Sequence, residues 1–303
     1  MGEICEFRPW DELIPELLGQ IIGRLSLQEK LTIAPLVCKE WAKTVVGPYS
    51  WWEIDISDWS LWRKPEKMDR MVRMLIDRSW GSFNRLAVSG LASEEIFAYI
   101  ANHAGSLQTL ELPRCEISDS IVEQVASRLS TVTFLDVSYC QKLGAPGLAI
   151  IGKNCKSLVG LKRAMHPLEV VEKFCQDDEA GAIATTMPKL RHLEVAYSLL
   201  TTGGVIEILS GCKDLEFLDL RGCWDVQLNQ KYLKEKRPDL KVLGPEINDS
   251  YARDLWDDCS DDDSMDSWED AGYWDDEQDL EGLEVRFYNG DSNYAIADFG
   301  WTV

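Results

Sequence analysis

A short apolar repeat constrains this chain more than any other feature. Leu107-x-x-Leu110-x-Leu112-x-x-Cys115 returns 25 residues later as Val132-x-x-Leu135-x-Val137-x-x-Cys140, and again as Leu215-x-x-Leu218-x-Leu220-x-x-Cys223. Leu190-x-x-Leu193-x-Val195 stands 25 residues before that last copy, and weaker copies start at Phe83, Leu158 and Leu240. Three inward apolar side chains on so short a segment predict a strand of a few residues. One such unit cannot bury its own apolar face, so several must stack into one parallel sheet. Between the strands the apolar spacing becomes helical: Ile96, Phe97, Ile100 and Ala101; Ile121, Val122, Val125, Ala126 and Leu129; Val205, Ile206 and Leu209. These residues suit helices packed on the back of the sheet. The expected class is therefore α/β, and Trp51–Ile56 reads as a first capping strand.

The period and its cysteine resemble the cysteine-containing leucine-rich repeat. That resemblance implies a curved solenoid over residues 51–248, of about six to seven repeats, with parallel strands concave and helices convex. Cys115, Cys140 and Cys223 fall where a strand bends into its loop, and Cys155 and Cys212 fall three residues before a strand. A small, slightly polar, buried side chain suits both places. The nine cysteines are odd in number and include no Cys-x-x-Cys. Neither zinc nor a redox pair is signalled, no cofactor is expected, and reduced thiols suit a nuclear or cytoplasmic protein.

One unit departs from the pattern. From Leu158 to Leu190 it spans 32 residues, with Arg163 where an inward Leu belongs, then His166-Pro167 and Asp177-Asp178-Glu179. The extra residues are expected to form a loop over the concave face.

Ahead of the repeats lies a small helical module. Pro15 suits the first position of a helix, and Leu17, Ile21 and Leu25 then fall on one face with Leu18 and Ile22 beside them. Ser26-Leu27-Gln28-Glu29 is a capping box that opens a second helix. Pro35 opens a third, in which Val37, Trp41 and Val45 share a face, and Gly47-Pro48 stops it. Apolar residues on several faces of so short a bundle need a partner to cover them.

Ile14-Pro15-x-Leu17-Leu18-x-x-Ile21, then Leu25, Leu31 and Val37-Cys38-Lys39-x-Trp41, ending at Trp51-Trp52, resembles an F-box, with Ile-Pro in place of the usual Leu-Pro. The resemblance implies that residues 1–50 dock a Skp1-type adaptor, and through it cullin and RING subunits, by way of Ile14, Pro15, Leu17, Leu18, Ile21, Leu25, Leu31, Val37, Cys38 and Trp41. F-box and repeats together resemble plant F-box/LRR proteins of the W2 type, substrate receptors of SCF ubiquitin ligases that present a protein substrate for degradation.

Residues between the inward ones line the concave sheet. One row reads Ala87, Glu111, Asp136, Lys162, Glu194, Asp219; a second reads Ser89, Pro113, Ser138, Ala164, Ala196, Arg221; a third holds Arg114, Tyr139, Met165 and Tyr197. Glu111, Arg114, Asp136, Tyr139, Lys162, Met165, Glu194, Tyr197, Asp219 and Arg221 are the expected substrate contacts, since aromatic and Arg residues anchor interfaces. The acidic first row points to a basic or mixed-charge degron.

The formal charge is −21. From Asp249 onward 18 Asp/Glu face 2 Arg, which places −16 in residues 249–303 and −5 in the rest. Such a balance disfavours nucleic-acid phosphates. No apolar run of membrane-spanning length occurs, and the N-terminus lacks a signal pattern. The tail is expected to be largely disordered, punctuated by Trp256, Trp268, Tyr273 and Trp274. It reads either as a solubilising tail with a short docked end or as an interaction segment folding back on the solenoid. Ser260 and Ser267 have acidic residues three positions on, a weak signal for acid-directed phosphorylation.

Only His103, His166 and His192 occur, and no nucleophile elbow, phosphate loop or dinucleotide fingerprint is present. The chain therefore reads as a binding protein and not as an enzyme. A repeat scaffold outside any ligase, or an acidic-tailed chaperone of basic proteins, are the alternatives.

Overall fold

The computed structural model describes residues 13–60, 65–165, 175–228 and 237–246. Four helices come first: α1 (Pro15–Ile22), α2 (Leu27–Thr32), α3 (Ala34–Val37) and α4 (Lys39–Val46), followed by a 3-10 turn at Pro48–Ser50. The sequence implied three. Cys38 adopts extended backbone (φ −162°, ψ 171°) and separates α3 from α4, so Val37 does not share a helix face with Trp41 and Val45. The capping box forms as read: the Glu29 N–H donates to Ser26 Oγ at 3.2 Å, and the Ser26 N–H donates to the Glu29 carboxylate at 3.0 Å. Gly19 lets α1 lie directly on the 3-10 turn, since a Cβ there would stand 2.3 Å from Tyr49 Cβ. That contact offsets the helix propensity a glycine costs, about 1 kcal/mol.

Eight three-residue strands follow in chain order and pair side by side, all parallel: β1 (Glu53–Asp55), β2 (Arg85–Ala87), β3 (Thr109–Glu111), β4 (Phe134–Asp136), β5 (Gly160–Lys162), β6 (His192–Glu194), β7 (Phe217–Asp219) and β8 (Lys241–Leu243). Ile54, Leu86, Leu110, Leu135, Leu161, Leu193, Leu218 and Val242 align across the sheet. The last copy is one residue out of the expected frame, because Val242 and not Leu243 continues the inward row. Parallel strands need crossover connections, and the crossovers here carry α5 (Ser57–Ser60), α6 (Pro65–Ser79), α7 (Glu94–Asn102), α8 (Asp119–Val125), α9 (Ala145–Asn154), α10 (Asp177–Thr186) and α11 (Thr202–Gly211). From α6 onward each helix packs on the next. Strands stand about 4.8 Å apart and packed helices about 8–10 Å apart, so a stack of such units bends with the strands inside.

One continuous core runs from Leu18 and Ile22 through the inward strand residues to Val226. The repeat cysteines join successive units. The Cys140 thiol donates to the Leu112 carbonyl, Cys155 to Leu129 and Cys223 to Val195, each at 3.2 Å, and Cys212 donates to Met187 at 3.4 Å. Each thiol thus adds a hydrogen bond to a carbonyl of the preceding unit and ties successive units together. Asp119 performs a related task for the helices, accepting the N–H groups of Gly144 and Gly147 at the start of α9.

In the irregular unit, residues 166–174, on which most of the expected loop falls, lie outside the described residues. Asp177, Asp178 and Glu179 form the first turn of α10 and so are not part of a loop over the strand face. Arg163 is buried (1% exposed) and bonded to Glu179. His166-Pro167 and the acidic tail lie outside the described residues. Among the described residues no helix is long and apolar enough to cross a membrane.

Candidate functional site

Two surfaces stand out, and the first is apolar. The helical module encloses Leu18, Ile22, Leu31, Ala34, Val45 and Trp51. Trp51 is the keystone between module and sheet. It is fully buried, its indole N–H donates to the Val45 carbonyl at 2.7 Å, and the Lys30 ammonium stands 5.6 Å from its ring. Burial outweighs the pull of Glu53 and Asp55 and holds the Lys30 ammonium below its ordinary pKa.

With this interior complete, the module still exposes large apolar side chains. Ile14, Leu17 and Ile21 follow one stripe at i, i+3 and i+7 at and along α1. Ile33, Leu36 and Val37 form a second at i, i+3 and i+4 around α3, and Leu36 is 68% exposed. Val46 and Tyr49 are exposed as well. Of the residues read as docking positions, Ile14, Pro15, Leu17, Ile21 and Val37 are exposed, whereas Leu25, Cys38 and Trp41 are half-buried. Leu18 and Leu31 are a correction: both face inward and hold the module together. Ile33 and Leu36 escaped the sequence reading, because apolar residues three apart beside a Pro look like core.

The second surface is the open strand face. Glu111, Asp136, Lys162 and Glu194 stand in one row across β3 to β6, half-buried, as their alternation with the inward leucines requires. Charges interlock along it. Arg85 reaches Asp55 at 2.8 Å and Glu111 at 2.9 Å. Lys162 reaches Glu194 at 3.3 Å, and His192 Nε2 meets the same carboxylate at 2.6 Å. Two expected contacts are corrected. Asp219 is buried (2% exposed) and holds Arg221 at 2.7 Å. Met165 is fully buried.

The third row sits in the turn after each strand. Arg114, Tyr139 and Tyr197 have positive φ (58°, 61° and 58°), the conformation that Gly90 and Gly222 adopt three residues after their own strands. A side chain at such a position costs on the order of 1–3 kcal/mol, yet these three keep large polar or aromatic groups at the rim, with the Arg114 guanidinium 5.3 Å from the Tyr139 ring. Among the described residues no group of three or more His, Cys, Asp or Glu is placed to hold a metal.

Residues 128–151 match the family model for the leucine-rich repeat. The chain is 54% identical over 264 residues to F-box protein FBW2 of Arabidopsis thaliana, an alignment covering 86% of this chain and 83% of that protein. It belongs to the plant F-box/LRR proteins. Other Arabidopsis thaliana relatives of this F-box/LRR protein are F-box protein SKIP1, 34% identical over 77% of this chain and 88% of that one, and F-box protein SKIP19, 34% identical over 80% and 78%.

Proposed function

We propose that this F-box/LRR protein is the non-catalytic substrate-recognition subunit of an SCF-type ubiquitin ligase. Its helical module docks a Skp1-type adaptor, which bridges to cullin and RING subunits, and its open strand face holds a protein substrate for ubiquitination and degradation. The observation that carries this reading is the pair of exposed aliphatic stripes, Ile14/Leu17/Ile21 and Ile33/Leu36/Val37, on a module whose own core is already filled. Covering a half-exposed Leu or Ile contributes roughly 1 kcal/mol, about half the value for full burial. Half a dozen such residues support a stable interface. All seven described cysteines are free thiols, which supports a nuclear or cytoplasmic setting, where thiols stay reduced.

The test is assembly from purified parts. Full-length chain, Skp1-type adaptor, cullin and RING subunit are mixed and separated by size-exclusion chromatography. Co-elution as one complex, lost when the adaptor is omitted, is the expected result. A chain that elutes alone in the complete mixture refutes the ligase reading.

A further inference from the structure

The open face carries a row that the repeat motif does not name. Phe134, Gly160, His192, Phe217 and Lys241 stand side by side on β4 to β8, just before the inward residues. His192 stacks on Phe217 with ring centroids 4.5 Å apart and planes 6° from parallel. Phe134 lies over Gly160, where a Cβ would stand 2.3 Å from its ring, and its centroid is 6.2 Å from that of His192. The three half-buried rings make a strip across four strands, about 14 Å at ~4.8 Å per strand.

The charges beside the strip are matched except at one place. Arg85 serves Glu111 and Asp55, Lys162 and His192 serve Glu194, and Arg221 serves Asp219. Asp136 accepts the Ser138 N–H at 2.9 Å but has no ion pair among the described residues. It sits between Glu111 on one neighbouring strand, a like charge that is unfavourable there, and Lys162 on the other, whose ammonium pairs with Glu194. Burial first, and Glu111 after it, push the Asp136 carboxyl above its ordinary range, against Ser138 and Lys162. Asp136 also lies two residues beyond Phe134, on the same strand face. The Phe134 ring already draws a cation, since the Lys162 ammonium stands 5.8 Å from its centroid.

We propose that this corner binds an arginine of an extended substrate segment, with its guanidinium stacked on Phe134 and paired with Asp136, while a neighbouring apolar or aromatic side chain of the segment lies on His192 and Phe217. The inference rests on the reading that the open face holds the substrate. Arginine fits better than lysine because its planar group stacks on a ring and meets a carboxylate with two hydrogen bonds at once.

The experiment probes an array of synthetic twelve-residue peptides, each with a central Phe and with Arg, Lys, Glu or Ala placed in turn at the flanking positions, using the full chain. Arg-bearing peptides are expected to be retained about tenfold more than their Glu counterparts. Asp136→Asn, which keeps the side-chain shape, is expected to lose that selection, and His192→Ala to lower the retention of every peptide, since all carry the central Phe. Skp1-type adaptor binding is measured on the same preparations, so a chain that fails to bind adaptor counts against the ligase reading and leaves the peptide result to be judged alone. Retention without charge preference, preference for Glu, selection unchanged in Asp136→Asn, or no retention of any peptide would each overturn the arginine site.

Discussion

Arg163 and Glu179 form an ion pair at 3.1 Å that lies almost entirely out of solvent. The same guanidinium donates to the carbonyls of Cys140 at 2.9 Å, Leu143 at 2.6 Å and, more weakly, Val137 at 3.3 Å. One side chain thus joins the unit of β4 to the first turn of α10. Removing one partner of a buried pair costs on the order of 3–5 kcal/mol. Arg163→Leu, although it restores the repeat pattern, is expected to lower thermal stability clearly by calorimetry. An unchanged melting temperature would show that the pair holds nothing.

The repeat thiols should be chemically silent. Burial pushes Cys140, Cys155, Cys212 and Cys223 up to about 11, and raises Cys115 as well. The thiolate is the reactive form. Brief alkylation of the native chain at neutral pH, read by peptide mass spectrometry, is expected to label the exposed Cys175 and to spare these five until denaturant is added.

Asp136 supplies a pH prediction of the less usual sign. Its carboxyl is raised in the folded state, so the folded chain holds that proton more firmly than the unfolded chain does. Ionisation of Asp136 therefore costs stability as pH rises through its folded value, and the cost disappears below the unfolded aspartate value of about 3.9. Asp136→Asn is expected to melt higher than wild type at neutral pH. The gap should close on acidification, as followed by circular dichroism. A variant that melts lower at neutral pH would show that Asp136 is paired in solution.

Much of this fold was legible because Leu-x-x-Leu-x-Leu fixes strand and register together. Leu110, Leu135, Leu193 and Leu218 align as their spacing requires. The misses have local causes. Cys38 breaks a helix without a Gly or Pro to announce it. Leu240 and Leu243 mimic the motif, while the register follows Val242. Arg163 was visible as a departure, but its partner lies sixteen residues on, in a charge run that reads as loop. The strip of Phe134, His192 and Phe217 occupies the alternate position just before each inward residue, which the motif leaves as x. At the helical module, residue type announced apolar surface, but only packing separates Leu17, which faces out, from Leu18, which faces in.

That last distinction gives the most direct test of the proposed role. Affinity of the full chain for a Skp1-type adaptor is measured by calorimetry for wild type, for the outward double variant Leu17→Ala, Leu36→Ala, and for the inward variant Leu18→Ala, with melting temperatures taken on each. Wild type is expected to bind. The outward variant is expected to lose at least about tenfold in affinity at an unchanged melting temperature, and the inward variant to lose about 2–5 kcal/mol of stability. A wild type that does not bind the adaptor, or an outward variant that binds as tightly as wild type, would contradict the account.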